Sequence, residues 1–185
     1  MTLTKYIALL RGVNVGGKNK VPMADLRKTF ETYGFTDVST YINSGNIFFT
    51  SNEEDSRTLK TICQNLIQES FNLEIPVFVQ PTENLITTLT HAPEWWNQDK
   101  ESIVHNVIFV IPPITVSDVI AEIGEVTLAY DQYFVHTDVI YWSAPLKNYS
   151  RSKLSKINSL PIGKHVTIRN GNTMNKLVAL SKVVQ

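Results

Sequence analysis

Gly12, Gly17 and Lys18 stand at the G-x-x-x-x-G-K spacing of a phosphate-binding loop within "LLRGVNVGGKNKVPM". Asn19 occupies the place where such a loop carries the Ser or Thr that holds magnesium, and Pro22 interrupts the turn where the helix should already be running. No apolar strand ends in the Asp that would complete the metal site. Three readings stay open: a broken nucleotide site, another kind of anion site, or a glycine-rich turn. Glycines at 12, 16 and 17 let backbone N–H groups approach an anion, and a helix that follows offers its positive N-terminus. The candidate ligand-binding residues here are Arg11, Gly12, Asn14, Gly16, Gly17 and Lys18, with Lys20 adding charge.

Two further segments carry related chemistry. "NSGN" supplies Asn43, Ser44 and Asn46 around Gly45, a tight turn between two apolar runs. "TIRNGNTMNKL" supplies Arg169, Asn170, Asn172 and Thr173 between a predicted strand and a predicted helix. Asn172 or Thr173 can cap that helix, a purely structural role. Arg169 and Asn170 are not needed for the cap, and guanidinium and amide groups suit phosphates as well as base edges.

Other constellations are set aside. His91, His105, His136 and His165 are scattered without Cys/His clustering, so no metal site is expected. Ser44 lacks the G-x-S-x-G elbow and a nearby base. Cys63 reads as a small core residue, and Trp95-Trp96 as a hydrophobic plug with one ring exposed. No cofactor and no catalytic residue is identified.

The chain has 185 residues, 43% of them hydrophobic and 18% charged, with 17 cations balancing 17 acids. The balance is uneven along the sequence. Residues 1–24 hold Lys5, Arg11, Lys18 and Lys20 and no acid, residues 147–185 hold eight cations and no acid, and the stretch between carries every acid. Cationic ends suit a polyanion, or they neutralise the acidic middle. No apolar run reaches the ~20 residues of a membrane span, the N-terminus lacks a secretory signal, and one cysteine agrees with a reducing compartment, so a cytoplasmic protein without membrane partners is expected.

The elements that must position these residues begin with strand "KYIALL" and a helix in "PMADLRKTFETYGF", with Met23, Leu26, Phe30 and Tyr33 on its apolar face, Pro22 in its first turn and Gly34 at its end. Strands "VSTYIN" and "NIFFTS", a helix from Asp55 to Phe71 and strand "IPVFVQ" follow. The order β-α-β-β-α-β over residues 1–81 predicts a ferredoxin-like, split-βαβ unit. Its crossover rule places the 11–20 loop and the 43–46 turn at one end of the sheet. A helix and loop span 82–102. Residues 103–185 repeat the pattern in degenerate form: strand "VHNVIFVI", helix "TVSDVIAEIG", strands "VTLAYDQ", "YFVH" and "VIYWS", helix "SRSKLSKI", strand "HVTIR" and a final helix from about Thr173. The expectation is an α+β protein of two ferredoxin-like units packed as two lobes. An RNA-recognition module shares the element order, but "NIFFTS" does not fit its third-strand pattern.

"LLRGVNVGGKNKVPMADL", "TYINSGNIFF" and "TIRNGNTMNKL" resemble the signature segments of the bacterial family known as domain of unknown function 1697, with "HAPEWW" and "HNVIFV" extending the likeness over nearly the whole chain. The sequence departs from the family at Gly171, where the family usually carries Trp. The resemblance implies an α/β fold with the three segments in one unit, and no known reaction. The functional expectation is a phosphate-bearing ligand, nucleotide or nucleic acid, bound through the Gly/Asn/Arg loops. The alternatives are an enzyme on a small phosphorylated substrate, with Arg11, Lys18 and Arg169 stabilising phosphoryl charge, and an adaptor whose acidic middle binds a protein.

Overall fold

Alternation in "TKYIALL" gives β1 (Thr4–Leu10), whose Tyr6, Ala8 and Leu10 share one face. The computed structural model describes residues 2–183 and divides into two compact units, 2–85 with 181–183, and 86–180. The first continues through α1 (Met23–Tyr33), β2 (Thr36–Tyr41), β3 (Asn46–Ser51), α2 (Ser56–Phe71) and β4 (Val77–Pro81). The four strands form one antiparallel sheet in the order β2-β3-β1-β4. Leu26 and Phe30 of α1 and Leu59, Cys63 and Ile67 of α2 pack with Tyr6, Ala8, Leu10 and Phe49 as one core. Ile7, Leu9, Phe48 and Phe78, on the other face of the sheet, are buried as well.

Local chemistry sets the helix ends. Asp55 accepts the Arg57 and Thr58 N–H groups and so caps α2; the Thr58 hydroxyl, donating at 2.7 Å, and then these N–H groups hold its carboxyl below the usual range. Gly34 closes α1 in the left-handed conformation, where it lacks the Cβ that would clash. Pro22 is not inside the first turn, because its ψ of 128° is extended and α1 starts after it. Tyr33 is 50% exposed rather than inward.

The second unit comprises α3 (Thr82–Thr90), within which the boundary falls, β5 (Ile103–Val110), α4 (Val116–Ile123), β6 (Gln132–His136), β7 (Val139–Pro145), β8 (Val166–Asn170) and α5 (Gly171–Ser181). Its antiparallel sheet runs β6-β7-β5-β8, so both sheets place their four strands in the order second, third, first, fourth. Ile108, Ile140, Trp142, Val119, Ile123, Leu154 and Ile157 form its core.

Three expected elements differ. The strand "VTLAYDQ" is largely a turn, in which the Tyr130 and Asp131 N–H groups both donate to the Thr127 carbonyl at 2.9 Å. The helix "SRSKLSKI" is replaced by short 3-10 segments, Leu146–Arg151, Leu154–Ser159 and Pro161–His165. The cause is Asp131, a buried carboxylate that accepts the Ser152 hydroxyl at 2.5 Å, the Lys153 N–H at 2.7 Å and the Trp142 indole N–H at 2.9 Å. Holding Ser152 extended, at ψ 129°, breaks the helical run. The final helix starts two residues early, at Gly171, because Asn170 rather than Asn172 or Thr173 caps it.

Candidate functional site

The loop after β1 is a small hairpin. Asn14 N–H donates to the Asn19 carbonyl at 3.1 Å and Lys18 N–H to the Val15 carbonyl at 3.0 Å, so Gly16 and Gly17 are the two central residues of a tight turn. Both have positive φ, 57° and 75°, which a two-residue hairpin turn of this type demands and which glycine adopts without strain. A phosphate-binding loop instead leads its N–H groups directly into a helix, whereas here α1 begins only after the extended Pro22. The P-loop spacing is therefore satisfied by a hairpin.

Asn14 is the clamp of this loop. Its Oδ1 accepts the Val21 N–H at 2.9 Å, and its Nδ2 donates to the Val21 carbonyl at 2.9 Å and the Asn43 carbonyl at 2.8 Å. Leu10 N–H donates to the Gly45 carbonyl at 2.8 Å. Loop and turn thus share one end of the sheet, as the crossover rule requires. Asn46 is fully buried and donates to the Tyr41 carbonyl and to Ser44 Oγ, both at 3.0 Å, so it builds the turn. Gly12, Gly16, Gly17, Lys18 and Lys20 are exposed and Arg11 is half-buried.

The third segment lies in the second unit, so the three signature segments are divided between units rather than gathered in one. Arg169 is 6% exposed, and its Nη1 donates to Thr167 Oγ1 at 2.9 Å and to the Ile168 carbonyl at 2.8 Å. Burial pushes its guanidinium down to about 10. Asn170 Oδ1 accepts the Thr173 N–H at 2.8 Å, the geometry of an N-cap. Thr173 is buried and Asn172 exposed.

At the start of α5 a recess of about 250 Å³ is lined by Asn97, Lys100, Glu101, His105 and residues 170–172, together with Ile103, Val104 and Leu146, so one acid faces it beside the one lysine. A Cβ at Gly171 would lie 2.3 Å from Asn97 Oδ1, so a larger residue there displaces the Asn97 side chain. His105 is fixed as a neutral ring. Its Nε2–H donates to the Gln98 carbonyl, leaving Nδ1 to accept the Asn97 N–H at 3.0 Å and the Ser143 hydroxyl at 2.6 Å. Burial lowers its pKa below the ordinary 6.5. Trp96, buried beside it, donates its indole N–H to the Asn106 carbonyl at 3.0 Å, while Trp95 is partly exposed. Asn97 and Lys100 were missed by sequence reasoning and His105 was set aside as an isolated histidine, because nothing in "WWNQDKESIVH" marks a segment that folds back on residues 170–172.

Other groups are quiet. Burial pushes the Cys63 thiol up, away from the reactive thiolate. Among the described residues no cluster of three or more His, Cys, Asp or Glu side chains can hold a metal ion, and no helix is long and apolar enough to cross a membrane.

The fold is similar to that of the conserved bacterial protein SP0830 from Streptococcus pneumoniae, at 31% sequence identity and a TM-score of 0.81, over 98% of this chain and 100% of that one. No curated protein matches the sequence. The profile described as "Protein of unknown function (DUF1697)" matches residues 3–141, three quarters of the length, and so the chain belongs to the DUF1697 family.

Proposed function

We propose that this protein binds a phosphate-bearing ligand, a nucleotide or the end of a nucleic acid, in the recess at the start of α5. The observation that carries the reading is the convergence there of the exposed Lys100 ammonium with the first turn of an eleven-residue helix. Such a turn presents N–H groups and the positive end of the helix dipole. Asn170 consumes only the Thr173 N–H. Arg169 builds the strand from behind rather than lining the recess, and Asn97 and Asn172 supply amides suited to ribose or base edges. In the first unit Lys18 and Lys20 of the exposed hairpin add cationic charge suited to a separate phosphate, without a helix N-terminus.

The fold reading that accompanies this proposal is a duplicated ferredoxin-like plan. It is supported by the common strand order of the two sheets, with the 3-10 segments of the second unit standing where the first has α2. Residence in the cytoplasm is part of the same proposal and agrees with a single, buried cysteine.

The test is a thermal-shift screen with nucleotides, sugar phosphates and short RNA and DNA, followed by fluorescence anisotropy over a salt series. A ligand of this class raises Tm, and Lys100→Glu abolishes the rise while moving the ligand-free Tm little, because Lys100 is exposed. A nucleic acid ligand shows steep loss of affinity with salt. No Tm rise with any phosphate compound overturns the reading.

A further inference from the structure

β6 is the edge strand of the second sheet, and its sequence "QYFVH" has none of the devices that keep an edge from pairing: no proline, no lysine, no bulge against β7. Phe134 is 44% and Val135 38% exposed. The two-residue turn at Thr137 and Asp138 makes His136 and Val139 the closing hydrogen-bonded pair. By alternation Phe134 and Gln132 also bond to β7, and Tyr133 and Val135 direct their N–H and C=O groups outward. Among the described residues no other strand lies on that side.

We propose that β6 is a pairing edge for a second copy of this chain, with two β6 strands running antiparallel about Phe134 and joining two four-stranded sheets into one of eight. The choice of a second copy rests on self-complementarity. Centred on Phe134, the register sets Tyr133 opposite Val135 twice, and these are the residues whose backbone groups face outward, so four new N–H···O=C bonds form. Aromatic against β-branched is a favourable cross-strand pair, and Gln132 meets His136 without a charge clash. The exposed Asp138 follows one end of β6 and Tyr130 precedes the other, where Arg151 donates to the Tyr130 hydroxyl at 3.0 Å and lies over its ring, so antiparallel pairing brings the turn of one copy toward that of the other. Opposite charges therefore approach at both ends of the paired strands.

Sedimentation velocity of the full chain across a concentration series, up to millimolar, is the test. The wild type is expected to shift from monomer to dimer. Phe134→Lys and Phe134→Glu, each placing like charges face to face, are expected to be monomeric, and an equimolar mixture of the two to dimerise again. Phe134→Cys provides an independent measurement, because a non-hydrogen-bonded antiparallel pair holds its Cα atoms ~4.5 Å apart, within the range of a disulfide. It should cross-link to a covalent dimer under mild oxidation, with buried Cys63 silent. A wild type that stays monomeric throughout, a dimer indifferent to both charges at 134, or no cross-link in the cysteine variant overturns the proposal and leaves the edge to a strand from another protein.

Discussion

The side chain of Asn14 substitutes for a strand partner of Val21: it takes the Val21 N–H on Oδ1 and returns Nδ2–H to the Val21 carbonyl, both at 2.9 Å. Val21 is fully buried, so these backbone groups have no water to fall back on.

Asn14→Ala removes both partners and the link to Asn43, and it places alanine at a φ of 57° that asparagine tolerates better. The expected loss is about 3 kcal/mol in chemical denaturation. Asn14→Asp keeps the acceptor for the Val21 N–H but sets a carboxylate oxygen against the Val21 and Asn43 carbonyls, so its expected loss is no smaller at neutral pH.

Gly45 and Gly16 both have positive φ but differ in what surrounds them. A Cβ on Gly45 would lie 2.6 Å from Val13 Cγ2 and 2.7 Å from Leu10 Cβ, whereas one on Gly16 meets nothing within 4 Å. Gly16→Ala should cost only the backbone strain, about 1 kcal/mol, and Gly45→Ala about 3 kcal/mol or more, read as Tm and urea midpoint.

At the start of α5 the cap and the buried cation separate cleanly from the exposed amide. Asn170→Ala is expected to lose about 1 kcal/mol and Asn172→Ala under about 0.5 kcal/mol, because only Asn170 accepts a helix N–H. Arg169→Ala should lose about 2 kcal/mol or more with no ligand present, since it strips a buried side chain from Thr167 and Ile168. Urea melts of the three variants check the order.

His105 makes stability depend on pH in a defined window. Its folded pKa is depressed by burial below 6.5, so the unfolded chain takes up a proton that the folded chain refuses. The contribution is complete above 6.5 and is lost as pH falls through 6.5 toward the folded value. Asp55, the cap of α2, and Asp118, which accepts the Thr115 N–H at the start of α4, are also depressed, and their contributions are lost as pH falls below 3.8, so the loss that begins at 6.5 belongs to His105. Urea melts between about pH 7.5 and pH 5 should show falling stability, and His105→Gln should flatten the slope.

The first sheet was readable because its signals are local: alternation in "KYIALL" and "NIFFTS", Asp55 before α2, Gly34 after α1. The neighbourhood of Asn14 and Asn43 followed from strand order alone, although the hydrogen bonds between them did not. The second unit was less legible because its decisive residue is remote. Asp131 shapes residues 152 and 153 from 21 and 22 positions away, and no propensity at "SRSKLSKI" reveals that a carboxylate will claim its serine. Arg169 misled for a related reason, since a cation in a sequence gives no sign of being buried. The recess at α5 depends on a fold-back of residues 97–105, a tertiary event with no local signature.

The common strand order also governs how each sheet is assembled during synthesis. In both units the first strand made is central, and one of its two neighbours is the last made, β4 beside β1 and β8 beside β5. A ribosome therefore releases the apolar β1 long before Pro81 exists to complete its sheet, and β5 long before Asn170. Until then one flank of each central strand is an unsatisfied template. Chains halted short of either point carry an adhesive edge, and truncation there should yield aggregation rather than a smaller folded protein.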